Sequence, residues 1–181
     1  RLAHYNHKIT YRDYSYPFDD EHVFIKNRYF QLSLNKCIRR GELQVLGREI
    51  SYLAKNDKLI WFDFFALCSG PRSQRDYIKI ADNFSTVFIS GVPAFSGKLI
   101  PAVFSGVEDS YQRNGILLGD LRLLDDAARR FIALVDEFYD RKVRLIINAE
   151  VDIVKLYQGQ QLSFEFARCQ SRLIEMQSIN Y

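Results

Sequence analysis

Apolar and polar positions change their period several times along this chain, and each change marks an element. Between residues 124 and 141, Leu124, Ala128, Phe131, Val135 and Phe138 recur at i, i+4, i+7, i+11 and i+14, the single stripe of an amphipathic helix. Asp125 and Asp126 fall at the expected amino end and Arg141 and Lys142 at the carboxyl end, as the helix dipole favours. Phe166, Cys169, Leu173 and Met176 predict a final helix starting near Ser163. Runs such as Val87-Phe88-Ile89 and Leu145-Ile146-Ile147 are apolar on both faces, which predicts strands over 58–63, 86–92 and 143–149, with a helix over 73–84 between the first two. The resulting β-α-β-α-β string predicts an α/β fold, a small parallel sheet flanked by helices.

The flanking regions follow weaker signals. Residues 1–27 place Tyr5, Tyr11, Tyr14, Tyr16, Phe18 and Phe24 among polar residues, a pattern of short extended pieces. Asn27 is a suitable cap for a helix over 28–40, with Phe30, Leu34, Cys37 and Ile38 on one face and Gly41 as its stop. Glu42 to Tyr52 alternates and contains Gly47, which predicts an N-terminal β-hairpin. Around Gly97, Gly106, Gly115 and Gly119 lie two β-like runs, Leu99 to Phe104 and Ile116 to Leu121, so 94–123 is expected to be an inserted projection, a loop or hairpin. A turn at Asn148 to Asp152 and a short helix through Leu156-Tyr157 complete the string. The expected organisation is a segment over 1–57 that continues an upstream domain, then an α/β domain over 58–181.

Composition narrows the function classes. The chain has 181 residues with 48% hydrophobic and 26% charged positions, which suits a globular domain. Its 25 Lys+Arg and 22 Asp+Glu leave a net charge of +3 with no basic tract, so electrostatics does not argue for nucleic acid. No apolar run approaches the roughly 20 residues that span a bilayer. Cys37, Cys68 and Cys169 are widely spaced among apolar neighbours, as packed, reduced thiols would be. His4 and His7 have no later His or Cys pair to complete a zinc site. Met176 is the sole methionine and no signal-peptide pattern opens the chain, so a portion of a longer protein is expected.

The common enzyme signatures are absent from these residues: no phosphate-binding Gly-x-x-x-x-Gly-Lys-Ser/Thr loop, no Gly-x-Gly-x-x-Gly, no Gly-x-Ser-x-Gly and no His-Glu-x-x-His. Ser69-Gly70-Pro71-Arg72-Ser73-Gln74 joins a strand to a helix, where backbone N–H groups can meet an anion, but its composition suits a plain turn capped by Ser73. Arg129, Arg130, Asp136, Glu137, Asp140 and Arg141 fit the solvated side of the 124–141 helix. Arg168 and Arg172 lie four apart beside the apolar stripe of the last helix. They suit either ion pairs on the helix surface, with Glu165 and Glu175 as partners, or contact with a partner's phosphate.

Several strings carry a resemblance. Trp61-Phe62-Asp63-Phe64 with Leu67-Cys68, then Pro71-Arg72-Ser73-Gln74-Arg75-Asp76-Tyr77-Ile78, then Ala128-Arg129-Arg130-Phe131-Ile132-Ala133-Leu134-Val135-Asp136-Glu137-Phe138-Tyr139-Asp140-Arg141, and finally Phe164-Glu165-Phe166-Ala167-Arg168-Cys169-Gln170-Ser171-Arg172-Leu173-Ile174-Glu175-Met176 stand in order. Together they resemble, over about residues 42–178, the C-terminal portion of the ZapE and AFG-one-like family of P-loop ATPases, on its bacterial branch. The resemblance implies an AAA+-type ATPase that uses ATP and magnesium in bacterial cell division by modulating FtsZ polymers. It implies a cytoplasmic protein, and contacts with other subunits and with division-site proteins. The family's nucleotide-binding motifs do not occur in these 181 residues, so the chain alone is expected to bind neither ATP nor metal and to serve subunit or partner contacts. The order of strand 86–92, helix, strand ending at Asn148 and then Arg172 looks like a degenerate AAA+ half module, with Ser90 and Gly91 where acidic residues would bind magnesium. Arg172 and Arg168 are the candidate catalytic arginines on that view. The alternative is a self-contained, non-catalytic binding module that displays the projection.

Overall fold

The computed structural model describes residues 39–95 and 110–178. His4, His7, Cys37, the expected 28–40 helix and the Leu99 to Phe104 run lie outside the described residues. Strands β1 (Gly41–Val45) and β2 (Arg48–Tyr52) form an antiparallel hairpin. Its turn, Leu46-Gly47, has positive φ at both residues, 50° and 77°, the geometry whose twist matches that of the flanking strands.

The main sheet has four strands in the order β3 (Ala54–Lys55), β4 (Leu59–Asp63), β5 (Thr86–Val92) and β6 (Arg144–Ala149). β4, β5 and β6 are parallel, with Ile60 opposite Val87 and Val87 opposite Leu145, while the two-residue β3 is an antiparallel edge. Between β4 and β5 run a short helix α1 (Phe64–Cys68), capped by Asp63, and α2 (Gln74–Asn83). α3 (Ser110–Asp140) joins β5 to β6, and a 3-10 turn (Ile153–Lys155) leads to α4 (Ser163–Glu175). The predicted α/β class, parallel strands and final helix are all present.

The alternation of strand residues splits the core. Ile60, Phe62, Val87, Ile89 and Leu145 face one cluster with Phe64, Leu67, Tyr77, Phe131, Val135, Phe138, Phe166, Cys169 and Leu173 from the four helices. Leu59, Trp61, Phe88 and Ile146 face the other way, beside Ala54. Val45 and Ile50 of the hairpin belong to the helix-side core. This is why the central strands are apolar on both faces. Trp61 is fully buried, and its indole N–H donates to the Ser90 hydroxyl at 3.0 Å.

Three expectations need correction. The backbone over 110–123 is helical and continuous with the stripe that begins at Leu124, so α3 has 31 residues and the Ile116 to Leu121 run is not part of a hairpin. A short apolar run is ambiguous between strand and helix, and Gly115 and Gly119 each cost only about 1 kcal/mol in a helix. Asp125 and Asp126 therefore lie inside the helix, not at its amino end. The turn after β6 is tightest at Ile153–Lys155, and Tyr157 instead forms a strand-like bridge with Phe95.

Candidate functional site

The buried stripes of α3 and α4 decide which polar residues meet. Phe131 stacks on Phe166, with ring centroids 6.5 Å apart, and Phe95 and Tyr157 close the same aromatic cluster. Residues one step around each helix then fall into register. Asp136 and Asp140 flank the α3 stripe, and Arg168 and Arg172 flank the α4 stripe.

The two arginines converge on one carboxylate. Arg168 Nη2 donates to Asp136 Oδ2 at 2.8 Å, while Arg172 Nη1 pairs with Asp136 Oδ1. Arg172 Nη2 lies 3.9 Å from Asp140 Oδ1, and its guanidinium sits over the Tyr139 ring at 5.1 Å. The Tyr139 hydroxyl donates to Glu175, a hydrogen bond that holds its pKa above the ordinary value. Glu165 and Glu175, the partners expected from α4 itself, are thus replaced by acidic residues of α3. The two arginines also differ: Arg172 keeps 24% of its side chain exposed and has three contacts, whereas Arg168 keeps 53% and has one.

Other sequence candidates are committed to the fold. In the Ser69 to Gln74 turn, the Asp76 carboxylate accepts from the Ser73 amide at 2.7 Å and from its hydroxyl at 2.9 Å, the place an anion would take. Arg48 pairs with the buried Asp76 at 3.2 Å and donates to the Pro71 carbonyl, and Arg72 donates to the carbonyls of Glu49 and Ala66. These bonds tie the hairpin to the α1–α2 connection. Arg141 bridges Asp82 at 3.0 Å and Glu137 at 3.4 Å, joining α3 to α2. Ser90 is buried against Trp61, and Gly91 takes φ of 73°. Asn148, the last residue but one of β6, is half-buried.

Cys68 and Cys169 are fully buried free thiols. Burial pushes Cys68 well above the ordinary thiol range and Cys169 up to about 12. Burial also raises the Tyr77 hydroxyl, which donates to the Leu67 carbonyl at 3.2 Å. Among the described residues no group of three or more His, Cys, Asp or Glu could hold a metal ion. None of their helices is long and apolar enough to cross a membrane.

The family described as AFG1-like ATPase matches residues 5–99 and 114–181. The chain belongs to the AFG1-like ATPases. It is 38% identical over 163 residues to "Cell division protein ZapE" of Escherichia coli strain K12, covering 90% of this chain and 37% of that protein. It is 31% identical over 142 residues to "Lactation elevated protein 1 homolog B" of Danio rerio, covering 78% of this chain and 23% of that relative. A Schizosaccharomyces pombe protein of uncharacterised function is 25% identical over 165 residues. The chain thus spans little more than a third of the length of the bacterial relative. No solved structure gives a significant match. Within this AFG1-like chain, the Asp136, Arg168 and Arg172 cluster falls inside the second matched stretch, and the Ser69 to Gln74 turn inside the first.

Proposed function

We propose that this chain works as the C-terminal region of an AAA+-type P-loop ATPase that acts with ATP in bacterial cell division by modulating FtsZ polymers in the cytoplasm. The observation that carries this reading is the family match along both stretches, together with the 38% identity to a protein named for cell division. ATP and magnesium would be held by phosphate-loop and acidic motifs that these 181 residues do not contain. The chain would then contribute contacts to other subunits and to a division-site partner. The α/β body would take in the hairpin, whose Val45 and Ile50 share its core, and β3, the edge of its sheet, with residues 100–113, which the family match passes over, as its inserted part.

In this reading the α3–α4 arginines have unequal parts. Arg172, with three partners in its own chain, ties α4 to α3. Arg168, with one partner and half of its surface in solvent, is the arginine that can turn towards a neighbouring subunit. Either guanidinium could stabilise charge on a transferring γ-phosphoryl group, a role that contributes about 10³ to 10⁵ in rate where it operates. The test is ATP turnover by the whole protein across a range of protein concentration, with Arg168→Ala and Arg172→Ala compared to the parent. The reading expects turnover that rises with concentration, a collapse in Arg168→Ala at unchanged thermal stability, and a loss in Arg172→Ala that tracks its lower stability. Turnover indifferent to concentration and to both substitutions would remove the arginines from catalysis.

A further inference from the structure

The main sheet is buried on both faces, yet the helices that the structure describes pack on one. Ile60, Phe62, Val87, Ile89 and Leu145 meet α1 to α4 in a single cluster. On the opposite face Ala54, Trp61 and Phe88 have no exposed surface, and Leu59 and Ile146 keep only 7%. Among the described residues, Leu53 is the one further hydrophobic side chain packed against that group. An indole in the second strand of an open sheet, bordered by its strand neighbours and one leucine, would leave part of its ring in water. The burial is complete within this single chain, so the cover comes from elsewhere in its 181 residues. Parallel strands are stable with both faces covered, which makes a second layer the expected arrangement.

Topology narrows the source of that layer. Residues 96–109 leave from Phe95, whose ring contacts Phe64, Phe131 and Phe166 on the helix side, and lead into α3, whose stripe packs on that same side. Residues 179–181 follow α4, also on the helix side, and are too few to cover a sheet. The chain before Gly41 arrives from another direction. Gly41 lies opposite Tyr52 in the hairpin register. The next residue, Leu53, packs on the second-face group and donates its backbone N–H to the Trp61 carbonyl at 2.7 Å. Residue 40 therefore sits at the margin of that face. Arg39 and Arg40, exposed and without regular structure, supply the connection.

The residues just upstream have the chemistry and the length for the task. Phe30, Leu34, Cys37 and Ile38 share one side of a helix, and Arg28, Asn35 and Lys36 turn away from it. A helix over 28–38 is about 16 Å long, whereas the step from β4 across β5 to β6 is about 10 Å. We propose that residues 28–38 dock as an amphipathic helix on the sheet face formed by Leu59, Trp61, Phe88 and Ile146, which makes the domain three layers deep. The chain upstream of residue 28 then joins the domain from the face opposite to Arg168 and Arg172. This inference does not depend on the ATPase reading.

Thiol labelling of the intact chain at pH 8 tests it without perturbing the fold, because Cys37 lies on the apolar side of the docked segment. Cys37 should react at least about 100-fold more slowly than in denaturant, since labelling requires the layer to open. Asn35→Cys, on the outward side, should add a thiol that reacts at once. Leu34→Glu sets a charge against the sheet and should release Cys37 alone, with Cys68 and Cys169 still protected. From the sheet side, Ile146→Ala should accelerate Cys37 about tenfold or more beyond any rise at Cys169, and the milder Ile146→Val gives the same ordering where Ile146→Ala fails to fold. Four results would each overturn the proposal: native labelling of Cys37 as fast as in denaturant, an Asn35→Cys thiol as protected as Cys37, continued protection of Cys37 in Leu34→Glu, or Ile146 variants that accelerate Cys37 no more than Cys169.

Discussion

Asp136 carries more of the α3–α4 junction than any single ion pair at the surface would. One carboxylate with 21% of its side chain exposed accepts both Arg168 and Arg172. Asp136→Ala leaves two like charges facing each other where a counter-ion stood, and unfolding by denaturant should show a loss of about 1–2 kcal/mol. Arg168→Ala, which removes the more exposed partner alone, should cost about 0.5 kcal/mol or less in the same measurement. The thiols give a second residue-scale prediction. Cys169 shifts from an ordinary 9.0 to about 12 because burial penalises its thiolate. Its neutral form is the one the fold accepts, so this contribution is fully present below pH 9.0 and is lost as pH rises from there towards about 12. Stability measured between pH 8 and pH 11 should therefore decline, and Cys169→Ala should decline less steeply. Thiol reagents at pH 8 should label Cys68 and Cys169 only after unfolding.

At the scale of elements, the hairpin and the aromatic cluster make different predictions. Leu46 adopts φ of 50° and is half exposed, so it bears the strain of a left-handed backbone with little burial in return. Leu46→Asn restores the favoured Asn-Gly turn and should raise stability by about 0.5–1 kcal/mol, read as a higher denaturation midpoint. Phe131 contacts Phe64, Phe95 and Phe166, and Phe131→Ala should cost about 3–5 kcal/mol. Much of this architecture was legible in the sequence. β4, β5, β6, α2 and α4 were visible because their periods are long enough to separate two from 3.6. The amino end of α3 was not, because glycines at 115 and 119 imitate turn signals that a long helix tolerates. α1 was missed because five residues, Phe64 to Cys68, are too few to show a period at all. The candidate site was legible by half: Arg168 and Arg172 announced themselves on α4. Their partners on α3 lie 32 and 36 positions away, a distance that no helical spacing reveals.

For the whole molecule, the helices that the structure describes all enter one core, and the hairpin is stitched to it by Arg48 and Arg72. The outer surface of α4 faces solvent, with Phe164 and Ile174 exposed. If the chain contributes to an ATPase by presenting this surface, substitutions on the two sides of α4 should separate. Cys169→Ser, buried, should lower the melting temperature and reduce every activity in proportion to the folded fraction. Arg168→Ala, at the surface, should lower melting only slightly and act on concentration-dependent ATP turnover. Equal effects of both on melting would mean that α4 has a single structural role.

The buried pairing of Trp61 with Ser90 has a practical consequence. Trp61 is the sole tryptophan of the chain, sits in the sheet on the side away from the cluster that receives the helices, and is fully screened from water. Its emission should be blue-shifted in the native chain and move to longer wavelength only when the sheet itself opens. Intrinsic fluorescence thus gives a clock for global unfolding that is blind to what happens on α4. Events at Phe164 or Arg168 will pass unseen in that channel unless a second chromophore is introduced, which makes an unchanged tryptophan spectrum the natural control for every surface variant described above.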